Sequence, residues 1–305
     1  LTPDQLVLGS GGVLGDTWMS GVVAGLLEAG GADLRQCRRF VGTSAGSIVA
    51  TRLAAGQDMR TYLARRFEGP DPADIELIDG EADGLHSATG GDPSVRDRIA
   101  SAALGAIGPG GRLLRRSLLR LVPEGKRELS HLGTSIDNLM PDWDPRLSLI
   151  GLSVESGGRV VIEASRSRGL RPSEAVRGSC AIPGVFRPVD SEEGRIVDGG
   201  VWSPVNLDAV LPAAGSRVLC LYPSGYPSTS RSLRRTVTGA VSRTRVRVET
   251  AAVRHHGARV LTVTPDTRSA VAIGPDRMDS DRDPAVAAAG FRQGAELASP
   301  LKAWL

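Results

Sequence analysis

Residues 5–15 read Gln5-Leu6-Val7-Leu8-Gly9-Ser10-Gly11-Gly12-Val13-Leu14-Gly15, and residues 39–46 read Arg39-Phe40-Val41-Gly42-Thr43-Ser44-Ala45-Gly46. Each is a short apolar run that breaks at glycine and resumes at helical spacing, the first as far as Glu28 and the second from Ser44 to Ala55. Strand, glycine turn and helix, twice in succession, is the alternation of a parallel sheet covered by helices. An α/β fold is expected.

Outward from these turns, strand-like alternation resumes at Leu147–Val154 and Arg159–Glu163, with Gly157-Gly158 as the hairpin turn between them. The pattern then predicts a helix from Pro172, a second hairpin around Glu193-Gly194, a helix near Val205–Leu211 and a strand at Arg217–Tyr222. A long helix over Ser232–His255, a strand at Arg259–Thr264 and an alanine-rich helix over Pro284–Ala298 complete it. Gly69–Pro141 reads as an insertion or cap within a single domain. Asp71–Val95 holds seven acids and no Lys or Arg, Asp92-Pro93 resembles a helix start, and Arg112–Val122 is a basic amphipathic helix. The Arg231–Arg259 stretch carries eight arginines and one acid, Glu249, with Val237, Val241, Val248 and Ala252 as its expected apolar face.

Composition excludes several classes. With 305 residues, 41% apolar and 23% charged, the chain is neither disordered, collagen-like nor a coiled coil. A net charge of +3 is too small to announce a nucleic-acid partner. Cys37, Cys180 and Cys220 are odd in number and lack CxxC spacing, so neither a disulfide framework nor a zinc site is expected, and a reducing, cytoplasmic setting is. No apolar run reaches the ~18–20 residues of a membrane span, and Leu1–Gly9 lack the regions of a signal peptide.

The chemistry concentrates in three glycine features. Gly42-Thr43-Ser44-Ala45-Gly46 is G-x-S-x-G between a strand and a helix, the context of a nucleophile elbow, although Ser44 as a simple helix cap is the competing reading. Gly9–Gly15 offers the side-chain-free amides of Gly11, Gly12 and Val13 to an oxyanion. It also resembles a dinucleotide fingerprint, but the nearby acids Glu28 and Asp33 precede the second strand instead of ending it. Asp198-Gly199-Gly200 places an acid at a strand end before two glycines, which alone is only a turn. A base for Ser44 must be Asp198 itself or a histidine among His86, His131, His255 and His256, the order Ser44, Asp198, His255 being that of a hydrolase triad. Trp18 suits a pocket wall or the core equally, and Cys180 is expected to be buried.

At these residues the chain resembles the patatin-like phospholipases, lipid acyl hydrolases that use a Ser-Asp dyad. The matching blocks, in family order, are VLGSGGVLG (7–15), FVGTSAGSIVA (40–50), AVRGSCAIPGVFRPV (175–189) and VDGGVWSPVN (197–206). The resemblance implies a three-layer α/β/α sandwich with a mostly parallel central sheet and a helical insertion. It assigns Ser44 as nucleophile, Asp198 as base, and Gly11, Gly12 and Val13 as the oxyanion loop, with Gly9, Gly15, Gly42, Gly46, Gly199 and Gly200 as motif glycines. No metal or cofactor is implied. The expected substrate is a phospholipid or other acyl lipid, with peripheral contact to an anionic membrane. One departure is Leu14, where many family members carry Arg or Lys that steadies the oxyanion loop. The other readings are a catalytically weak, membrane- or partner-binding member of the fold, and a nucleotide-binding module built on Gly9–Gly15.

Overall fold

In the computed structural model, residues 2–67, 111–166, 169–226 and 233–305 are described. The acidic stretch Asp71–Val95 and its Asp92-Pro93 helix start lie outside them. Seven strands form one sheet: β1 (Gln5–Leu8), β2 (Arg39–Thr43), β3 (Leu147–Ser153), β4 (Arg159–Glu163), β5 (Ile196–Asp198), β6 (Arg217–Leu221) and β7 (Arg259–Val263). The main path runs β4-β3-β2-β1-β6-β7. Its four central pairings are parallel, whereas β4 and β5 both run antiparallel to β3.

The helices are α1 (Gly12–Glu28), α2 (Ala45–Ala54), α3 (Met59–Phe67), α4 (Arg112–Leu121), α5 (Ser130–Leu139), α6 (Pro172–Cys180), α7 (Leu233–His255), α8 (Thr267–Ile273) and α9 (Asp283–Trp304). One sheet face, with Leu6, Leu8 and Phe40, packs on α1 and α2, and the other, with Val7, Val41 and Cys220, packs on Val246 and Val253 of α7. This is the three-layer α/β/α sandwich. Because the helices that follow β1 and β6 cover opposite faces, the carboxyl ends of these two neighbouring strands form the switch point at which α/β folds characteristically bind ligands. Leu8, the last residue of β1, pairs with Gly42 on one side and Leu221 on the other, so the glycine loop and the elbow emerge at that same edge.

Helix α1 is held from below by α9. A Cβ on Gly25 would stand 1.9 Å from the Phe291 carbonyl oxygen, and one on Gly294 would stand 2.1 Å from that of Val22, so the two helices meet backbone to backbone. Thr17 Oγ1 donates to Asp283 Oδ1 at 2.7 Å across the same seam. A buried pair, Arg52 to Asp16 at 2.7 Å, ties α1 to α2. Removing one member of such a pair typically costs about 3–5 kcal/mol, because the other charge is left buried alone.

Several expectations change. Residues 205–211 form turns, because Asn206 takes the left-handed backbone (φ 52°) that no α-helix accepts. Among the described side chains of α7 the buried positions are Val246, Glu249 and Val253, spaced three and four apart; of the expected apolar face, Val248 is 62% exposed, Val241 and Ala252 are half-buried, and the Val237 side chain lies outside those described. Trp18 is a core residue, fully buried with its indole N–H donating to Gln293 Oε1 at 3.0 Å. Helix α9 continues through Pro300 to Trp304, and α3, α5 and α8 were not foreseen. Among the described residues, no helix is long and apolar enough to cross a membrane.

Candidate active site

Ser44 joins β2 to α2 with φ 54° and ψ −125°, and with Asn206 it is one of two non-glycine residues of positive φ among those described. Such a backbone is strained by about 1–3 kcal/mol and persists only where its surroundings hold it. Here they do. The Ser44 N–H donates to Ser179 Oγ at 2.9 Å, and that hydroxyl donates to the Ile150 carbonyl at 2.7 Å. The Ser44 carbonyl accepts both the Ser47 N–H at 2.7 Å and the Ser47 hydroxyl at 2.6 Å. Gly46 presses so closely on β1 that a Cβ there would lie 2.0 Å from the Leu8 carbonyl oxygen. Ser44 makes no side-chain capping bond to α2, and its Oγ instead donates to Asp198 Oδ2 at 2.7 Å.

Asp198 ends β5, opposite Gly151 of β3, and its N–H donates to the Ala181 carbonyl at 2.9 Å. Its second oxygen, Oδ1, accepts the Gly200 N–H at 2.6 Å. Burial pushes the carboxyl pKa up to about 6, against the opposing pull of the Ser44 and Gly200 hydrogen bonds. Such a carboxylate is ionised at neutral pH and is a better base than an exposed Asp. Asn206 clasps the turn to the elbow, its Nδ2 donating to Thr43 Oγ1 at 3.2 Å, to the Gly199 carbonyl at 3.2 Å and to the Ser203 carbonyl at 2.7 Å. His131, His255 and His256 are exposed, and no described histidine is bonded to Ser44 or Asp198; His86 lies outside the described residues.

The loop before α1 is pinned at both ends. Gly9 and Ser10 donate their N–H groups to the Leu221 and Pro204 carbonyls at 3.0 and 2.7 Å, and Leu14 donates to the Arg277 carbonyl at 3.0 Å. Between them, the amides of Gly11, Gly12 and Val13 donate to no acceptor among the described residues. They stand at the N-terminus of α1, where the helix carries partial positive charge. Gly12 has φ 66°, which glycine alone adopts freely. Leu14 is fully buried in the apolar cluster beneath the sheet, so its side chain does not stand in the loop and a cation there would have to enter the core. The acids that a dinucleotide site needs are engaged elsewhere: Glu28 pairs with Arg60, and Asp33 with Arg35.

Ser179, Asn206, Ser224 and Arg277 escaped the sequence reading. The first two lie inside the quoted blocks AVRGSCAIPGVFRPV and VDGGVWSPVN, which marked their position but not their bonds. Cys180 is buried, 3.6 Å from Ser47 Oγ, and burial pushes its thiol pKa up, so it is no nucleophile. Among the described residues, no three His, Cys, Asp or Glu side chains gather to hold a metal ion. A groove of about 730 Å³ along α7 near Val246 and His255 and one of about 270 Å³ between Leu119 and Val197 are lined by neither Ser44 nor Asp198.

The family described as Patatin-like phospholipase matches residues 6–211. Comparison with curated protein sequences returns no match. Among solved structures, VipD from Legionella pneumophila is 15% identical, with a TM-score of 0.44 over 98% of this chain and 67% of VipD. The type III effector ExoU is 16% identical, with a TM-score of 0.40 over 98% of this chain and 53% of ExoU. ExoU from Pseudomonas aeruginosa in complex with SpcU gives 17% identity and a TM-score of 0.39. The chain thus spans about half the length of ExoU.

Proposed function

The chain belongs to the patatin-like phospholipase family, a family of lipid acyl hydrolases, and from that premise we propose that it cleaves carboxylic ester bonds of phospholipids or other acyl lipids with Ser44 as nucleophile and Asp198 as general base. The observation that carries this reading is the 2.7 Å hydrogen bond from Ser44 Oγ to the buried Asp198 carboxylate. Ser44 Oγ attacks the ester carbonyl carbon while its proton passes to Asp198 Oδ2. The carbonyl oxygen becomes an oxyanion and accepts hydrogen bonds from the amides of Gly11, Gly12 and Val13. Collapse expels the alcohol, which takes the proton from Asp198 and leaves the acyl group on Ser44. Water then gives its proton to Asp198, attacks the acyl carbon, and the carboxylic acid leaves as Ser44 regains its proton.

Labelling with an active-site serine phosphonate, read by intact mass, tests the assignment. The protein should gain one adduct and Ser44→Ala none, with hydrolysis of a short-chain nitrophenyl ester lost in the variant. Hydrolysis by folded Ser44→Ala would reject the nucleophile, and an unlabelled, inert wild type would reject the enzyme.

We also propose that the lipid is met at an anionic surface through α4. Its Leu113 and Leu121 are 76% and 78% exposed, Leu114 is exposed too, and Arg112 and Arg120 are exposed beside them. Sedimentation with vesicles containing an anionic phospholipid should fall several-fold for Leu113→Ser/Leu114→Ser, and equal binding would remove α4 from the contact.

A further inference from the structure

The loop that carries the three free amides is gripped by parts of the chain that lie far beyond the elbow and the Asp198 turn. Ser224 Oγ, just after β6, donates to the Ser10 carbonyl at 2.8 Å. The Arg277 guanidinium, between α8 and α9, in turn donates through Nη1 to Ser224 Oγ. The main-chain carbonyl of the same Arg277 accepts the Leu14 N–H at 3.0 Å. Arg277 therefore reaches the loop on both sides of Gly11–Val13, at Ser10 through its side chain and at Leu14 through its backbone. The next residue closes the third side, because Met278 Sδ sits 2.6 Å from where a Gly12 Cβ would stand.

The covalent connectivity gives this grip a chemical meaning. The Ser10 carbonyl and the Gly11 N–H belong to one peptide group, so a hydrogen bond accepted at the oxygen polarises the N–H and makes it a stronger donor. The bonds thus run in one direction: guanidinium to Ser224 Oγ, Ser224 hydroxyl to the Ser10 carbonyl, and the same peptide's Gly11 N–H outward to the acceptor. A fixed positive charge stands at the far end of that chain, and charge-assisted bonds are the strong ones. We infer that Arg277 is a positioning residue that holds and polarises the oxyanion loop through Ser224 and Ser10. The inference rests on the reading of Gly11–Val13 as oxyanion donors.

The test uses the full chain and a short-chain nitrophenyl ester, with Arg277→Ala, Arg277→Lys, Ser224→Ala and the Arg277→Ala/Ser224→Ala double variant. Arg277→Ala should lower kcat about tenfold with KM within about twofold, less than the 10²- to 10³-fold typical of deleting an oxyanion donor outright. Arg277→Lys, which keeps the charge, should recover most of the loss, a result that a purely steric role would not give. Ser224→Ala should reproduce the Arg277→Ala loss, and the double variant should be no slower than either single one, because both interrupt one chain. Arg277→Ala turnover within twofold of wild type, or losses that multiply in the double variant, would overturn the relay; should Arg277→Ala not fold, the Lys and Ser224 variants decide. Hydrogen exchange at Ser10 and Leu14 separates this inference from the proposed reaction. Faster exchange in Arg277→Ala upholds the grip even for an inert wild type, and unchanged exchange refutes it even if the enzyme turns over.

Discussion

Ser44 and Asp198 are fixed by the strands that carry them, whereas the Gly11–Val13 amides are fixed in large part by segments that arrive from the other end of the chain. Ser44 is bonded to Ser179, itself anchored on the Ile150 carbonyl, and Asp198 to Ala181 and Gly200, all inside the sheet or one step from it. Besides Pro204, the amide loop rests on Leu221, Ser224 and Arg277, these three beyond residue 211, where the family match ends. In the proposed mechanism, proton transfer between Ser44 and Asp198 depends on short-range geometry that recognisable motifs carry. Oxyanion stabilisation, in the same proposal, depends also on contacts beyond those motifs, and the two can be perturbed separately.

The largest separation is expected from the base. Asp198→Asn should lower turnover by about 10²- to 10⁴-fold, while replacing both His255 and His256 should leave it within a few-fold; a dead histidine variant would restore the triad. Unfolding should not explain the Asn result. With its folded pKa of about 6 above the ordinary 3.8, ionised Asp198 costs stability, and the cost grows as pH rises between those values, so Asp198→Asn should melt no lower than wild type at pH 8. On the other side of the comparison, Gly12→Val places a branched side chain at φ 66° and against Met278, and should lower kcat about a hundredfold or more while leaving the Ser44 to Asp198 bond in place.

A smaller effect belongs to pH. Asp198 accepts the Ser44 proton only when ionised, so turnover in wild type should be level above about pH 6 and fall about tenfold per unit well below it. An acid limb centred near 4 would mean that the carboxyl is not buried in the working enzyme. The smallest effect tests whether the pair, too, leans on a distant segment. Glu249 of α7 is buried, accepts the Leu207 N–H at 3.0 Å beside the Asn206 clasp, and is pushed by burial from 4.5 up to about 7. Its folded form holds a proton that the unfolded chain releases, so stability falls as pH rises through that window. Glu249→Gln should therefore raise the melting temperature at pH 8 by about 2–4 °C for each kcal/mol relieved, and hardly at pH 4.5.

Much of this was legible because the elbow and the glycine loop are local events. A strand that must turn beside β1 needs glycine at Gly42 and Gly46, and that need is written in the residue types themselves. β4, bounded by turns, lies where alternation placed it, at Arg159–Glu163. Residues 205–211 misled because their apolar spacing suits a helix, while Asn206 spends its side chain on Thr43 and Gly199 and turns its backbone the other way. Val248 of α7 misled because hydrophobicity points to it, whereas the buried position beside it is Glu249, satisfied by the Leu207 backbone amide, which no sequence pattern locates. Arg277 was invisible for a plainer reason: an exposed arginine in a connection looks like any other.

The seam between α1 and α9 has a mechanical consequence. Where Gly25 meets Phe291 and Gly294 meets Val22, main chain rests on main chain with no side chain to rotate or compress between them. Side chains at ordinary helix contacts act as soft spacers that absorb small displacements by changing rotamer. At these glycines the seam has no such cushion, so α1 and α9 are coupled there as two rigid backbones in direct contact. The helix whose first turn carries the Gly11–Val13 amides is thus braced by a helix that begins more than 270 residues later in the chain.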